Sequence, residues 1–112
     1  MRRIDKPWGH ELIWAHTKNY IGKLLIINPG HKLSKQYHEI KEETIYVMDG
    51  TLVLEVPEGR LILKPGAFYH ITPGTVHRFC APSEGCKLME ISTPHLDDVI
   101  RLEDEYGRVQ GE

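Results

Sequence analysis

Cysteine and long apolar runs are scarce in this sequence. Its 112 residues include two cysteines, Cys80 and Cys86, which can form at most one bridge. The start of the chain lacks the apolar stretch of a secretion signal, so we expect two reduced, largely buried thiols in a cytoplasmic protein. No apolar run approaches the ~18 residues that indicate a membrane span.

An excess of positive charge is also missing. The 14 Lys and Arg residues are outnumbered by 16 Asp and Glu residues, which gives a formal net charge of −2. This balance provides no basic field for a nucleic-acid backbone or an anionic membrane, and we expect neither partner. The length fits one folding unit, so we predict a single domain over residues 1–112.

Turn signals, in contrast, recur at short intervals along the chain. They separate short runs rich in aliphatic, aromatic and β-branched residues, a pattern typical of an all-β sandwich or barrel. The signals are Asn28-Pro29-Gly30, Asp49-Gly50, Pro57-Glu58-Gly59, Lys64-Pro65-Gly66, Thr72-Pro73-Gly74 and Ser83-Glu84-Gly85.

Two local predictions refine this all-β pattern. Asp49-Gly50 is typical of a type I′ turn, so we predict a hairpin that joins the preceding strand to a strand over 51–56. After Pro94, Leu96, Val99 and Ile100 could share one face of a helix. We therefore expect a short C-terminal tail that is helical or irregular.

Histidine is abundant, with seven residues at positions 10, 16, 31, 38, 70, 77 and 95. Imidazole is the commonest metal ligand and titrates near neutral pH, so this enrichment favours a metal or acid–base site. Gln36 and His38 lie two residues apart and should share one face of a strand. Glu43 opens the next predicted strand and alternates with Ile45 and Val47, which should face the interior.

The carboxylate of Glu43 needs a positive partner, because a buried charge is costly when nothing compensates it. His77 follows the Pro73-Gly74 turn, from which it could reach the same point across a barrel. Two imidazoles and a carboxylate recur as ligands of divalent metals, and the amide oxygen of Gln36 would add a neutral fourth ligand. We predict a divalent metal at Gln36, His38, Glu43 and His77, with Zn²⁺ first and Mn²⁺, Co²⁺, Fe²⁺ or Ni²⁺ as alternatives.

Two segments resemble the sequence motifs of the cupin superfamily. One contains Gly30, Gln36, His38, Glu43 and Gly50, and the other contains Gly66, Gly74 and His77. From Lys6 to Arg108 the chain also resembles the C-terminal isomerase domain of the bifunctional mannose-1-phosphate guanylyltransferase/phosphomannose isomerase family. The matching segments are Lys6-Pro7-Trp8-Gly9, 34–38, 73–78 and 97–108. The resemblance implies a cupin fold, a double-stranded β-helix or jelly-roll barrel.

Several positions depart from these family patterns. Gln36 stands where many cupins have their first motif histidine, Thr72 at a usual proline and Ala81 at a usual asparagine. Lys41 occupies an arginine position of the isomerase motif, which keeps the charge but loses the planar bidentate fork. The sequence has no glycine-rich nucleotide loop, so we do not expect guanylyl transfer.

The resemblance implies isomerisation of mannose 6-phosphate to fructose 6-phosphate. A metal would act as a Lewis acid, and a base would move a proton between C2 and C1. Candidates for the base are Lys41, His70 and Lys32. Candidates for binding phosphate are Lys32, Lys41 and Arg108, with Arg78 less suited because it alternates with an inward-facing histidine. We name Lys41, His70 and Arg108 as the candidate catalytic residues.

Other functions stay open at this stage. A different metal-dependent cupin enzyme would act on another sugar or a nucleotide sugar, or would be an iron oxygenase, although a fourth protein ligand at Gln36 argues against open positions for O₂. A non-catalytic sugar-binding or regulatory cupin would hold metal without turnover. Because two-sheet β domains leave edges that need protection, we also expect a homodimer.

Overall fold

The computed structural model of the chain describes residues 1–108, so the end of the domain predicted at residue 112 lies outside the described range. Residues 1–108 are all-β, as predicted, and include no helix that could cross a membrane. The strands are β1 (Arg2–Lys6), β2 (Gly9–His16), β3 (Ile21–Ile27), β4 (His31–Lys32), β5 (Lys35–Tyr37), β6 (Glu43–Gly50), β7 (Leu52–Val56), β8 (Gly59–Leu63), β9 (Phe68–Ile71), β10 (Arg78–Ala81), β11 (Cys86–Ser92) and β12 (Ile100–Glu103).

The strands form three antiparallel sheets. A six-stranded sheet has the order β1-β2-β3-β11-β6-β9, a four-stranded sheet has the order β4-β10-β7-β8, and β12 pairs with β5. The core lies between the two larger sheets and takes apolar side chains from both. Its most buried members include Ile45 and Leu88 from the first sheet and Leu54 and Phe79 from the second.

Strand β6 places Glu43 in the interior. Its side chains alternate between buried and exposed, and Glu43, Ile45 and Val47 share the buried face. Glu43 is 2% exposed, which confirms the predicted alternation of a carboxylate with core residues. The outward face of the same strand exposes Tyr46 and Met48.

The prediction of a hairpin at Asp49-Gly50 is wrong. Strands β6 and β7 follow each other in the chain but belong to different sheets, so this turn carries the chain from one sheet to the other. A type I′ turn needs positive φ at both central residues, whereas among the described residues only glycines have positive φ. Gly50, at φ 77°, packs against Gly85, whose carbonyl oxygen would lie 1.9 Å from an added Cβ. A chain crossing this close requires glycine.

The tail after Pro94 is not helical. Residues Leu96 and Asp97 form a turn, and the chain then enters β12, which pairs with β5. Leu96 and Val99 line a cavity at the mouth of the barrel. These two apolar side chains therefore line the barrel cavity and do not form one face of a helix.

The two cysteines are free and buried, as expected. Burial raises the pKa of each thiol to about 11, so both stay protonated at neutral pH.

Candidate metal centre

Three strand ends bring His38, Glu43 and His77 together. His38 follows β5, Glu43 opens β6, and His77 immediately precedes β10. The backbones of Gln36 and His77 exchange two hydrogen bonds, of 3.0 and 2.9 Å, which fix His77 beside β5. The turn at 72–75 adds a 2.7 Å bond from the Gly74 N–H to the His38 carbonyl.

The two imidazoles present the same ring nitrogen to the carboxylate. Nδ1 of His38 lies 2.5 Å from the Asp98 carbonyl oxygen, and Nδ1 of His77 lies 2.9 Å from that of Thr75. A carbonyl accepts only, so both Nδ1 atoms carry a proton, and Nε2 is the ring atom that each histidine would offer to a metal. The Nε2 atoms lie 3.8 Å (His38) and 3.4 Å (His77) from Glu43 oxygens.

These atoms fit a metal ion. The two Nε2 atoms and both Glu43 oxygens are buried without a partner of hydrogen-bond geometry among the described residues, although the Lys41 ammonium lies 3.0 Å from Oε2 of Glu43. One ligand atom from each of the three residues can be chosen so that all lie within 4.8 Å of one another. Buried polar atoms are rarely left unsatisfied, and a divalent cation would satisfy all four.

Electrostatics keep two of the candidate ligands in their metal-binding forms. Burial and the charge of Lys41 lower the pKa of His38, against the opposing charge of Glu43, so its imidazole is neutral at pH 7. Burial alone would raise the pKa of Glu43, but the contact with His77 and the charge of Lys41 outweigh it and hold the pKa well below its usual range. A neutral imidazole and an ionised carboxylate are the forms that bind metal.

Gln36 lies beside this set. Its Oε1 accepts a 2.7 Å hydrogen bond from the Ser34 hydroxyl, and its side chain lines the same cavity as His38. Its role as a fourth ligand stays a prediction.

Lys41 is buried between two carboxylates. Its ammonium lies 3.0 Å from Glu43 and 3.1 Å from Glu90. Burial disfavours the charged form, but the charges of Glu90 and Glu43 prevail and raise the pKa of Lys41 above its ordinary value. A lysine that stays protonated cannot accept a proton, so the geometry favours Lys41 as a fixed cation over its predicted alternative role as a base.

A cavity of about 200 Å³ reaches the candidate centre at His38, which lines it, whereas Glu43 and His77 lie behind the lining residues. His38 and Lys41, which both contact Glu43, line it. Its cationic side chains outnumber its acidic ones. The cations are Arg2, Lys6, Lys23, Lys41, Arg101 and Arg108, and the acids are Glu11, Glu90 and Asp97.

Arg101 and Arg108 come from the C-terminal tail and differ in their partners. Arg108 forms a bidentate pair with Asp104, at 2.8 and 3.1 Å, while its side chain still lines the cavity. Nε of Arg101 is buried without a hydrogen-bond partner among the described residues. Burial and the charge of Arg108 lower the pKa of Arg101, so an anion in the cavity would be favoured at this point.

Three other predicted candidates lie outside the cavity lining. His70 is half-exposed on β9, where its ring contacts Glu42, and it does not line the cavity. Lys32 is also outside the lining and pairs with Glu105 at 3.5 Å. Arg78 is buried and donates from Nε to the Leu33 carbonyl at 2.7 Å, which gives it a structural contact instead.

Sequence reasoning missed Glu90 and Arg101. Glu90 alternates with Leu88 on the buried face of β11, the same signal that identified Glu43 on β6. Arg101 gave no comparable signal, because its place in the cavity depends on the pairing of β12 with β5, where it lies opposite Gln36.

The comparisons with known proteins agree with this architecture. The family model of the cupin domain matches residues 23–92. The chain belongs to the cupin family. The match contains all four predicted metal ligands, so the candidate centre lies within the shared domain.

One curated relative is named for a mannose phosphate. The mannose-1-phosphate guanylyltransferase RfbM of Salmonella typhimurium is 31% identical over 110 residues, which cover 95% of this chain and 23% of the relative. The chain therefore spans about a quarter of the length of that protein.

Solved structures show the shared cupin fold. KdgF from Halomonas sp. has a TM-score of 0.77 at 21% identity, over 84% of this chain and 88% of that one. A sugar phosphate isomerase of the cupin superfamily from Silicibacter pomeroyi has a TM-score of 0.70 at 22% identity, over 75% of this chain and 58% of that one.

Proposed function

We propose that this cupin is a metal-dependent sugar-phosphate isomerase that interconverts mannose 6-phosphate and fructose 6-phosphate. The observation that carries the proposal is the buried His38–Glu43–His77 set at the side of a cavity rich in cations. A relative named for a mannose phosphate and a neighbour described as a sugar phosphate isomerase support the choice of substrate.

The residues at the metal end would hold the cation in a fixed geometry. His38, Glu43 and His77 are nearly inaccessible to solvent, and the backbone carbonyls of Asp98 and Thr75 orient the two rings. Zn²⁺ is our first choice for this donor set. When bound, the metal would supply Lewis-acid polarisation of the substrate oxygen at the reacting carbon.

The arginines of the tail would bind the phosphate. Nε of Arg101 is buried without a hydrogen-bond partner in residues 1–108, and Arg108 is held by Asp104 with its side chain in the cavity wall. Guanidinium groups suit phosphate because their planar N–H donors match its oxygens. Lys6 also lines the cavity; burial lowers its pKa, with Lys23, Arg101 and Arg108 adding repulsion that a phosphate would relieve.

Glu90 is the group that we assign to proton transfer between C2 and C1. It lines the cavity, and its Oε2 forms an ion pair with the Lys41 ammonium at 3.1 Å but has no partner of hydrogen-bond geometry within residues 1–108. Burial and the negative charge of Glu43 raise the pKa of Glu90, which brings this carboxyl closer to the range that a general base needs at neutral pH.

A non-catalytic sugar-binding cupin is the second candidate. The observation in its favour is the immobilised Lys41, whose charge is already shared between Glu43 and Glu90. Such a protein would bind metal and sugar phosphate without converting it.

A coupled assay of mannose 6-phosphate conversion tests the proposal. Arg101→Ala should raise KM by about 10-fold or more, because a guanidinium–phosphate contact is worth about 1.5–3 kcal/mol. Arg60→Ala is the control, because Arg60 is an exposed arginine on β8 outside the cavity. Turnover with equal KM in the wild type and both variants would contradict the phosphate assignment, and absence of turnover in the metal-loaded wild type would contradict the isomerase.

A further inference from the structure

Asp98 contacts His38 through its backbone and the segment that follows His38 through its side chain. Its carbonyl oxygen accepts the hydrogen bond from Nδ1 of His38. Its carboxylate accepts three consecutive backbone N–H groups, from Glu39 at 3.0 Å and from Ile40 and Lys41 at 2.8 Å each. Asp98 therefore accepts hydrogen bonds from the backbone N–H groups of all three residues that follow His38.

Lys41 is held between Glu43 and Glu90, but the rest of the segment 39–41 has few other contacts that could fix it. It connects β5 to β6, and its central side chain, Ile40, is 64% exposed, so apolar packing does not anchor the segment. Glu39 is exposed as well. The three bonds to one carboxylate are charge-assisted and are consequently stronger than bonds between neutral groups.

The segment links two functional side chains of the centre. His38 stands at its start, and at its end Lys41 reaches back to within 3.0 Å of Glu43. A shift of this segment would move Nε2 of His38 and the Lys41 ammonium together. The geometry of the centre therefore depends on what holds the segment.

We propose that Asp98 is a positioning residue of the metal centre: it orients His38 through its carbonyl and fixes the 39–41 segment through its carboxylate. The inference rests on the metal centre of the proposed function but does not require isomerase activity. Burial alone would raise the pKa of Asp98, but the N–H groups of Lys41, Ile40 and Glu39 outweigh burial and lower it, so the carboxylate is ionised at neutral pH.

The test compares Asp98→Asn with Asp49→Asn. Both changes remove a carboxylate that accepts a backbone N–H of an exposed segment, but within residues 1–108 the Asp49 carboxylate accepts a single backbone N–H, that of Gly50, at the opposite end of β6 from Glu43. Zn²⁺ affinity is measured by competition with a chelating dye, the Co²⁺ absorption spectrum reports ligand geometry, and hydrogen exchange follows the amides of residues 39–41. Asp98→Glu is the second variant, because it keeps the charge if Asp98→Asn fails to fold.

We expect Asp98→Asn to weaken Zn²⁺ binding by about 10–100-fold, as removal of groups that orient metal ligands typically does. The Co²⁺ spectrum should change and amide exchange at 39–41 should accelerate, while Asp49→Asn matches the wild type. Wild-type Zn²⁺ affinity with an unchanged Co²⁺ spectrum in Asp98→Asn, or in Asp98→Glu if only that variant folds, would overturn the inference. Metal binding by the wild type without turnover would contradict only the isomerase, whereas a wild type that binds no metal would overturn both.

Discussion

The Lys41 ammonium lies 3.0 Å from the Glu43 carboxylate, so the negative charge of a candidate metal ligand is paired with a buried lysine. Lys41 is also 3.1 Å from Glu90, which is itself buried and lies 4.0 Å from Lys23. Lys23, Glu90, Lys41 and Glu43 therefore form a chain of buried side chains with alternating charges, and this charge chain ends at the metal centre.

Removing Lys41 should destabilise the metal-free protein. Lys41→Met leaves Glu43 and Glu90 buried without their shared cation, and breaking a buried ion pair in this way costs about 3–5 kcal/mol. Lys41→Arg keeps the charge and should cost far less. The measurement is the free energy of unfolding in urea, with Lys18→Met as the control because Lys18 is exposed. Equal stability of Lys41→Met and the wild type would show that the charge chain does not form.

The metal-free protein should lose stability as the pH falls below the ordinary histidine pKa. Burial lowers the pKa of His38 below 6.5, so in this interval the unfolded chain binds a proton that the folded protein excludes. The free energy of unfolding then decreases as the pH is lowered, by up to about 1.4 kcal/mol per pH unit. His38→Gln should remove this part of the slope. Urea titrations at about pH 7 and about pH 5.5 compare the two proteins, and identical slopes would contradict the prediction.

His70→Ala should leave both kcat and KM unchanged. His70 was a candidate base from the sequence, but its ring lies on the exposed side of β9 against Glu42. Glu90→Gln should instead lower kcat by about 100-fold or more, the range for loss of a general base. Steady-state kinetics on mannose 6-phosphate measure both. A strong loss in His70→Ala with little effect in Glu90→Gln would reverse the assignment.

The parts of the fold that repeat locally could be predicted from the sequence. Period-two alternation identified the buried face of β6, and with it Glu43. The Pro73-Gly74 turn predicted His77 at the start of a strand, and the structure places it immediately before β10. These features depend on neighbours within a few residues, so they are visible without tertiary structure.

Features that depend on contacts between strands distant in the sequence could not be predicted from the sequence. Asp49-Gly50 has the composition of a hairpin turn, yet the chain changes from one sheet to the other there. The backbone of Gly50 packs directly against that of Gly85, a residue distant in the sequence. Leu96, Val99 and Ile100 have helical spacing, but the chain here is set by the pairing of β12, which begins at Ile100, with β5. Arg101 enters the cavity for the same reason.

The expected homodimer stays a prediction, and the outer face of the six-stranded sheet is where we expect it. Tyr46 and Phe68 lie opposite each other on β6 and β9, and Phe68 is 70% exposed. Phe68→Lys should convert a dimer into a monomer in sedimentation equilibrium. Ile62→Lys is the control, because Ile62 is similarly exposed but belongs to the other sheet. A wild type that is monomeric at high concentration would contradict the expectation.

His38, Glu43 and His77 are proposed to hold a metal that supports isomerisation. The most direct measurement combines metal content of the purified protein with proton exchange at C2 of mannose 6-phosphate in D₂O, followed by NMR beside a coupled fructose 6-phosphate assay. We predict a stoichiometric divalent metal and exchange or conversion, both lost in His38→Ala and His77→Ala. Metal without exchange or conversion would contradict the isomerase, and a protein that binds no metal after loading with Zn²⁺, Mn²⁺ or Co²⁺ would contradict the centre itself.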